Sequence, residues 1–336
     1  MPVEQFIDSV KNASFVDVLT TFFNILEYPA ITLFTAMLLE IVLPIGSNLR
    51  ISALIPLFKK MANKVNRSEN NLGQNVFASV FLPCFIIFIA FAILLLLNFI
   101  IDDSAVLSLL LLPFLLESKT ILNTALKVKA SLTDNNKSKA KEILQQTLTR
   151  DCSKLSELGI NKALAEACGV SLFVNWFAIM VWFLILGIQG ALLMQLVVAM
   201  DKAFSQKQLG YEHFGIFIHK FEQALLIPCS LALLLTMLFS ISIHRIILNL
   251  KSHFHLLENY TTCLVHELLG SYANVTLGGP RYYKGQIFRF NKIGGSKEPD
   301  LKTPLKIYNK IRFSGIVFVC ICVLIKTFFY TTNINL

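Results

Sequence analysis

ACGVSLFVNWFAIMVWFLILGIQGALLMQLVVAM, Ala167 to Met200, is 34 residues long and carries no charge. As one straight helix it would be about 50 Å long, against about 30 Å of hydrocarbon in a bilayer. Two full crossings would need about 40 residues. Gly187-Ile188-Gln189-Gly190 stands in the middle as a natural break. The stretch therefore reads as a broken helix or a tight helical hairpin that does not fully cross. Non-helical backbone at that depth is tolerated only where protein or a water-filled cavity surrounds it.

Other apolar stretches lie on both sides. Phe77–Ile101 has 25 residues without a charge and ends at Asp102-Asp103. Residues 30–45 are shorter and contain Glu40; residues 104–120 run on as helix past Glu117 and Lys119. Further spans are expected at 224–243, with Pro228 near the start, and at 313–330, where Lys326 can snorkel to the interface. Composition agrees: 55% of residues are hydrophobic and only 15% charged, against about a quarter charged in soluble domains. A soluble core cannot hide that much apolar side chain without sticky patches. The predicted fold is an all-α, polytopic integral membrane protein. It has about five or six membrane helices with amphipathic cytoplasmic helices, and residues 1–336 form one membrane domain.

The net charge of +9 is read as basic cytoplasmic loops rather than nucleic-acid binding. Residues 46–76 hold five basic residues, 117–166 nine, and 245–312 eleven against four acids. All three segments, 46–76, 117–166 and 245–312, are thus expected to be cytoplasmic. The Asp102-Asp103 turn and the acidic N-terminus, Met1 to Asp8, are expected outside. That N-terminus lacks the basic start of a signal peptide, so insertion is expected to use the internal spans. One ambiguity follows. If 167–200 is a full hairpin, the next span carries the basic 245–312 segment outside; if it crosses once, 201–223 lies outside. One segment is then expected to be re-entrant.

Within 117–166, Ile121 to Leu132 is amphipathic at helical spacing, and Asp134 is the expected N-cap of a helix from Lys137 to Thr149. Seven cysteines without a Cys-x-x-Cys read as reduced small hydrophobes. None of the six histidines has metal spacing with a carboxylate partner; they read as interfacial side chains, and no metal site is assigned.

Charges beside or inside spans are expensive and need a reason. Glu40 reads as a packing or interface glutamate. Arg150-Asp151-Cys152-Ser153 reads as a local ion pair with an Asp cap. Glu166 and Asp201 bracket the 34-residue stretch. They meet only in a hairpin, where they can hold a divalent cation or assist a proton transfer; otherwise they are interfacial caps. In Leu277-Gly278-Gly279-Pro280-Arg281-Tyr282-Tyr283, two glycines permit close backbone approach to a ligand. Arg281 and the tyrosines can then hold a phosphate or stack on a ring; a plain surface turn is the competing reading. No P-loop and no Gly-x-Gly-x-x-Gly is present.

Taken in order, these elements resemble the CobD/CbiB family of cobalamin-biosynthesis membrane proteins, and the related AmpE family, from about residue 30 to 325. The span with a carboxylate is Leu39-Glu40. The family's Arg-Asp-Thr-Ser is Arg150-Asp151-Cys152-Ser153, and its Ala-x-x-Glu is Ala163 to Glu166. Gly190-Ala191, Met200-Asp201, Tyr211 to Gly215 and Leu226-Ile227-Pro228 follow. Leu-Gly-Gly-Pro-x-Tyr-Tyr is Leu277 to Tyr283, and a helix from Asp300 feeds the last span.

The resemblance implies a multi-pass bacterial inner-membrane protein of the adenosylcobinamide-phosphate synthase type. That activity joins an aminopropanol phosphate to the propionate carboxyl of adenosylcobyric acid. It implies ATP and a divalent cation as cofactors, a corrinoid substrate and the lipid bilayer as partners, and no nucleic acid. Arg150, Asp151, Glu166 and Asp201 would be catalytic. Gly278, Gly279, Pro280, Arg281, Tyr282 and Tyr283 would bind substrate. The chain also departs from the family. Glu-Asn-x-x-Asp-Gly corresponds to Val170 to Asn175, without the acids, and Lys-x-x-Asn-Thr corresponds to Gln195 to Ala199. Lost charge-assisted contacts predict a weakened ligation. Two alternatives stay open: a non-catalytic AmpE-like membrane sensor, and a binding protein or transporter for a small amphipathic ligand.

Overall fold

The computed structural model describes residues 29–67, 71–148, 150–206, 210–238, 260–283 and 286–334, with backbone alone at 72, 283, 286 and 326–334. The acidic N-terminus, residues 239–243 of the expected fifth span, the basic stretch 245–259, His244, His253, His255 and the Lys326 side chain lie outside the described residues.

The helices are α1 (Pro29–Val42), α2 (Ile55–Val65), α3 (Leu72–Ile101), α4 (Ser104–Leu115), α5 (Lys119–Thr133), α6 (Lys137–Thr147), α7 (Glu157–Leu172), α8 (Ala178–Ala203), α9 (Ile216–Met237), α10 (Tyr260–Ala273) and α11 (Thr303–Ile334). A π-helical segment, Phe173–Phe177, joins α7 to α8. A two-stranded antiparallel hairpin, β1 (Thr276–Tyr283) and β2 (Gln286–Gly294), follows α10. Among the described residues, five helical stretches are long and apolar enough to cross a membrane: Gly73–Ile101, Ser104–Thr133, Glu157–Ala203, Ile216–Met237 and Thr303–Ile325. The chain is a polytopic α-helical membrane protein. Its outer surface shows the solvent. On α3, Phe88 is 70% exposed and Phe99 86%, and Phe77, Phe81 and Phe85 stack along that helix. Such a face is stable in lipid and not in water.

The ends of these helices are chemically specified. Asn71 and Gln74 form a capping box that starts α3. Asp102, at φ 57, ends α3, and the Asp103 carboxylate accepts from Ala105 and Val106 N–H to start α4. The helix expected to run on past Glu117 instead breaks at Leu116–Ser118. The reason is Glu40. Its buried carboxylate, reaching over from α1, accepts from Ser118 N–H (3.0 Å) and Oγ (2.7 Å) and from Lys119 N–H (3.4 Å). Those are orphan donors of the first turn of α5. Arg50, 3.7 Å from Glu40, donates to the Leu116 carbonyl on the other side of the break. Asn136, not Asp134, caps α6, accepting from Lys139 N–H; Asp134 closes α5, and α6 ends at Thr147. The last span begins ten residues before Phe313: Asp300 accepts from Thr303 N–H at 2.8 Å, and one helix continues from Thr303 to Ile334.

The 34-residue stretch is a hairpin. Gly187 takes φ 67, ψ −153 and turns the chain. A Cβ on Gly190 would meet the Trp182 carbonyl at 2.4 Å, so the arms approach too closely for a side chain there. Lys202 Nζ donates to Asn175 Oδ1 at 2.8 Å, tying the arms together at their open end. From Gly187 the arms run about 18 Å back to Asn175 and about 22 Å to Lys202, so both arms end at the same side of the bundle. The turn lines a cavity of about 720 Å³ with Asp102, Asp103 and Pro29. The open end lies with Arg150 and Arg281. This resolves the ambiguity in the sequence: residues 201–206 stand at the Arg150 end. Thr261 of α10 donates to Gln223, early in α9, so the chain is back at that end when α10 starts.

Candidate functional site

A cavity of about 240 Å³ opens where the hairpin arms, α9, α10 and β1 converge; Arg150, Glu166, Asp201 and Arg281 all line it. Glu166 is its hub. The carboxylate is 4% exposed as a residue. It accepts from Gly278 N–H at 2.7 Å and from Arg281 at 3.1 Å, and Arg150 pairs with it at 2.9 Å. Three parts of the chain, far apart in sequence, are thus gathered on one side chain. The α7 N-cap, Ser156 accepting from Gly159 N–H, sets where that helix starts and so which face Glu166 occupies.

The glycine-proline motif is a strand, not a surface turn. Gly278 and Gly279 take φ 77 and 93, and the register with β2 shifts between Gly278 and Pro280, a β-bulge. A Cβ on Gly278 would meet the Asn291 carbonyl at 2.2 Å. The bulge aims Gly278 N–H at Glu166, so this donor serves the protein's own carboxylate rather than a bound phosphate. The Arg281 guanidinium carbon lies 4.8 Å from the centre of the Phe290 ring, a cation–π contact. Tyr282 places its carbonyl on Asp151 N–H (2.9 Å) and its ring 5.7 Å from Lys154. Gly279, Pro280 and Tyr282 do not line the cavity, and the Tyr283 side chain is outside the described residues.

Asp151 also stays out of the cavity. Its carboxylate accepts from Ser153 N–H at 2.8 Å and closes a local turn; those bonds to Ser153 hold its pKa below the usual carboxylate range. It does not cap α7, which Ser156 does.

Elsewhere on the lining Asp201 meets His219, read in sequence as an interfacial side chain, and Glu222, which the sequence had not singled out. His219 Nδ1 lies 3.3 Å from Asp201 Oδ1 and 3.9 Å from Glu222 Oε2. The three side chains have ligand atoms within 4.8 Å of one another. The missed signal was His219-x-x-Glu222, an i, i+3 pair on one helix face. His219 is therefore no lone interfacial imidazole. Lys202 projects beside them, with Glu117, Glu222 and Asp201 as its electrostatic neighbours. Asn175, which holds Lys202, sits in the π segment, an insertion that often marks functional positions. His266 completes the lining. Burial, with the nearby arginines adding and Glu166 opposing, pulls its pKa down to about 4. Its buried Nε2 has no hydrogen-bond partner among the described residues.

The fold and the site define the class: a multi-span helical membrane protein in which a helical hairpin closes a charged cavity at one end of the bundle. The sequence profile of the family described as CobD/Cbib protein matches residues 33–314. The chain belongs to the CobD/CbiB family. It is similar to a protein named "Cobalamin biosynthesis protein CobD" from Chromobacterium violaceum, with 29% identity over 108 residues. That alignment covers 32% of this chain and 35% of the relative, so the chain spans about a third of that protein's length. No solved structure matches the chain.

Proposed function

We propose that the cavity is the ligation site of an adenosylcobinamide-phosphate synthase in a bacterial inner membrane, joining an aminopropanol phosphate to the propionate carboxyl of adenosylcobyric acid. One observation carries this reading. The cavity is lined by two charged groups, the guanidiniums of Arg150 and Arg281 held by Glu166, and the carboxylates of Asp201 and Glu222 beside Lys202. An amino-alcohol phosphate is itself bipolar, anionic at one end and cationic at the other. At about 240 Å³ the cavity suits that small reactant; the corrinoid is far too large, so its propionate enters from the mouth.

Each group has a task. Arg150 Nε is buried without a hydrogen-bond partner among the described residues, a donor suited to a phosphate oxygen. Glu166 and Gly278 hold both guanidiniums in place. Asp201 and Glu222 face the ammonium end, and the buried Nε2 of His266 offers a hydrogen-bond partner to the amine. Orientation of the two reactants supplies much of the rate. Lys202 places an ammonium in the cavity of a chain that has Gln195 where its family has lysine, which supports retained activity.

The family resemblance also implies a divalent cation and ATP. Asp201, His219 and Glu222 fit a cation by donor type and spacing; a bound cation would neutralise phosphate charge. The glycine motif does not fit as an ATP phosphate cradle, because Gly278 N–H is already engaged. No step is therefore derived through the nucleotide.

The test is complementation. A strain lacking its own synthase, supplied with this chain, is expected to regain corrinoid amidation, and the Arg150→Met variant is expected to lose it. No rescue at verified membrane expression overturns the reading. A changed β-lactam response with corrinoid use untouched would instead favour the AmpE-like role.

A further inference from the structure

We propose that Asp201, His219 and Glu222 form a three-ligand site for a first-row transition-metal dication, the cavity leaving a coordination position open. Four observations converge on it. Two carboxylates and an imidazole, on α8 and α9, have ligand atoms within 4.8 Å of one another, close enough to share one ion. They line a cavity with room for the ion and a further ligand. The local charge calls for a cation: Glu117, Asp201 and Glu222 surround one ammonium, Lys202. Around Lys202 alone the carboxylates outnumber the ammonium three to one, and with Arg150, Arg281 and Glu166 across the cavity an excess of one negative charge remains. Finally, polar atoms in and beside the cavity lack hydrogen-bond partners among the described residues: Glu117 Oε1 and His266 Nε2, each in a residue more than nine-tenths buried.

The donor set selects the metal class. Mg²⁺ prefers an all-oxygen octahedron and keeps its waters. An imidazole with two carboxylates suits Zn²⁺, Co²⁺ or Mn²⁺, and three protein ligands with one open position is the arrangement of reactive rather than structural sites. His219 is the discriminating ligand. The inference extends the reading above to the class of its cation. Metal binding is measured without turnover, so its failure leaves the ligation test standing, and the reverse also holds.

The experiment uses the full chain in detergent, stripped by chelation and titrated with Co²⁺ as an optical probe, then with Zn²⁺ and Mg²⁺ as competitors. Expected are visible d–d absorption saturating at one Co²⁺ per chain, displacement by Zn²⁺, and no displacement by equimolar Mg²⁺. His219→Gln and Glu222→Gln are each expected to weaken Co²⁺ binding by more than about tenfold, since even an outer partner of a ligand is worth that much. Thermal unfolding identifies which variants are folded. Weakened binding in either folded variant supports the site. Unchanged stoichiometry and affinity in both, or displacement by equimolar Mg²⁺, overturns it. If neither variant folds, His219→Asn and Asp201→Asn are read by the same rule.

Discussion

Glu166 shows how one side chain organises a site. A carboxylate so deeply buried is tolerable only because two guanidiniums and a backbone N–H meet it. Glu166→Ala leaves both guanidiniums buried against nothing, and a loss of about 3–5 kcal/mol is expected; unfolding in detergent, with Glu166→Gln as the smaller perturbation, measures it. His266 gives a pH prediction. Its pKa falls from the ordinary 6.5 to about 4 on folding. Between those values the unfolded chain binds the proton and the folded chain does not, so stability rises with pH there. Stability is expected to be level above about pH 6.5 and to fall as the pH drops toward 4. Subtracting the same profile of His266→Gln isolates this contribution, and a zero difference between pH 7.5 and 5 contradicts it. Glu166 and Asp201 were legible in sequence because charges beside apolar stretches are costly, Arg281 because it follows the glycine-proline motif, and Arg150 through the family motif it matches. Lys202 and Asn175 were not, because only the hairpin and its π segment bring them together; Glu222 had a sequence signal, His219 three residues before it, that went unread.

At the scale of elements, breaks matter as much as helices. Glycine spacing made the hairpin turn readable. The α4–α5 break was unreadable, because its cause, Glu40, lies almost eighty residues away and the local apolar pattern continues through it. Glu40→Ala is expected to expose the first turn of α5 and to leave Arg50 buried without its carboxylate. The expected cost is about 3–5 kcal/mol, read from thermal unfolding beside the milder Glu40→Gln. The β hairpin was hidden for a related reason. Its glycines and proline read as a turn, whereas they form a bulge that re-aims a strand. Gly278→Ala must place a Cβ against the Asn291 carbonyl and hold a strained positive φ. We expect a loss on the order of 1–3 kcal/mol and, because Gly278 N–H fixes Glu166, a fall in any cavity-dependent activity. Full activity in a folded Gly278→Ala protein contradicts that link.

For the whole molecule, composition named the solvent and the basic segments gave an orientation, but the number of crossings could not be read. The reason is physical: 34 uncharged residues satisfy both a single broken span and a short hairpin. The structure distinguishes them by placing Gly187 beside Asp102-Asp103 and both Glu166 and Asp201 beside Arg150. The site exists only because the chain turns back. The most direct measurement is therefore which side of the membrane the segment after Asp201 faces. In a chain without its native cysteines, single cysteines at exposed Lys154, His213 and Ser104 are probed in oriented vesicles with an impermeant thiol reagent. The account predicts that Lys154→Cys and His213→Cys label from the same, cytoplasmic, face and Ser104→Cys from the other. Labelling of His213→Cys from the Ser104 face would contradict it, because Asp201 and Arg150 would then stand on opposite sides of the membrane.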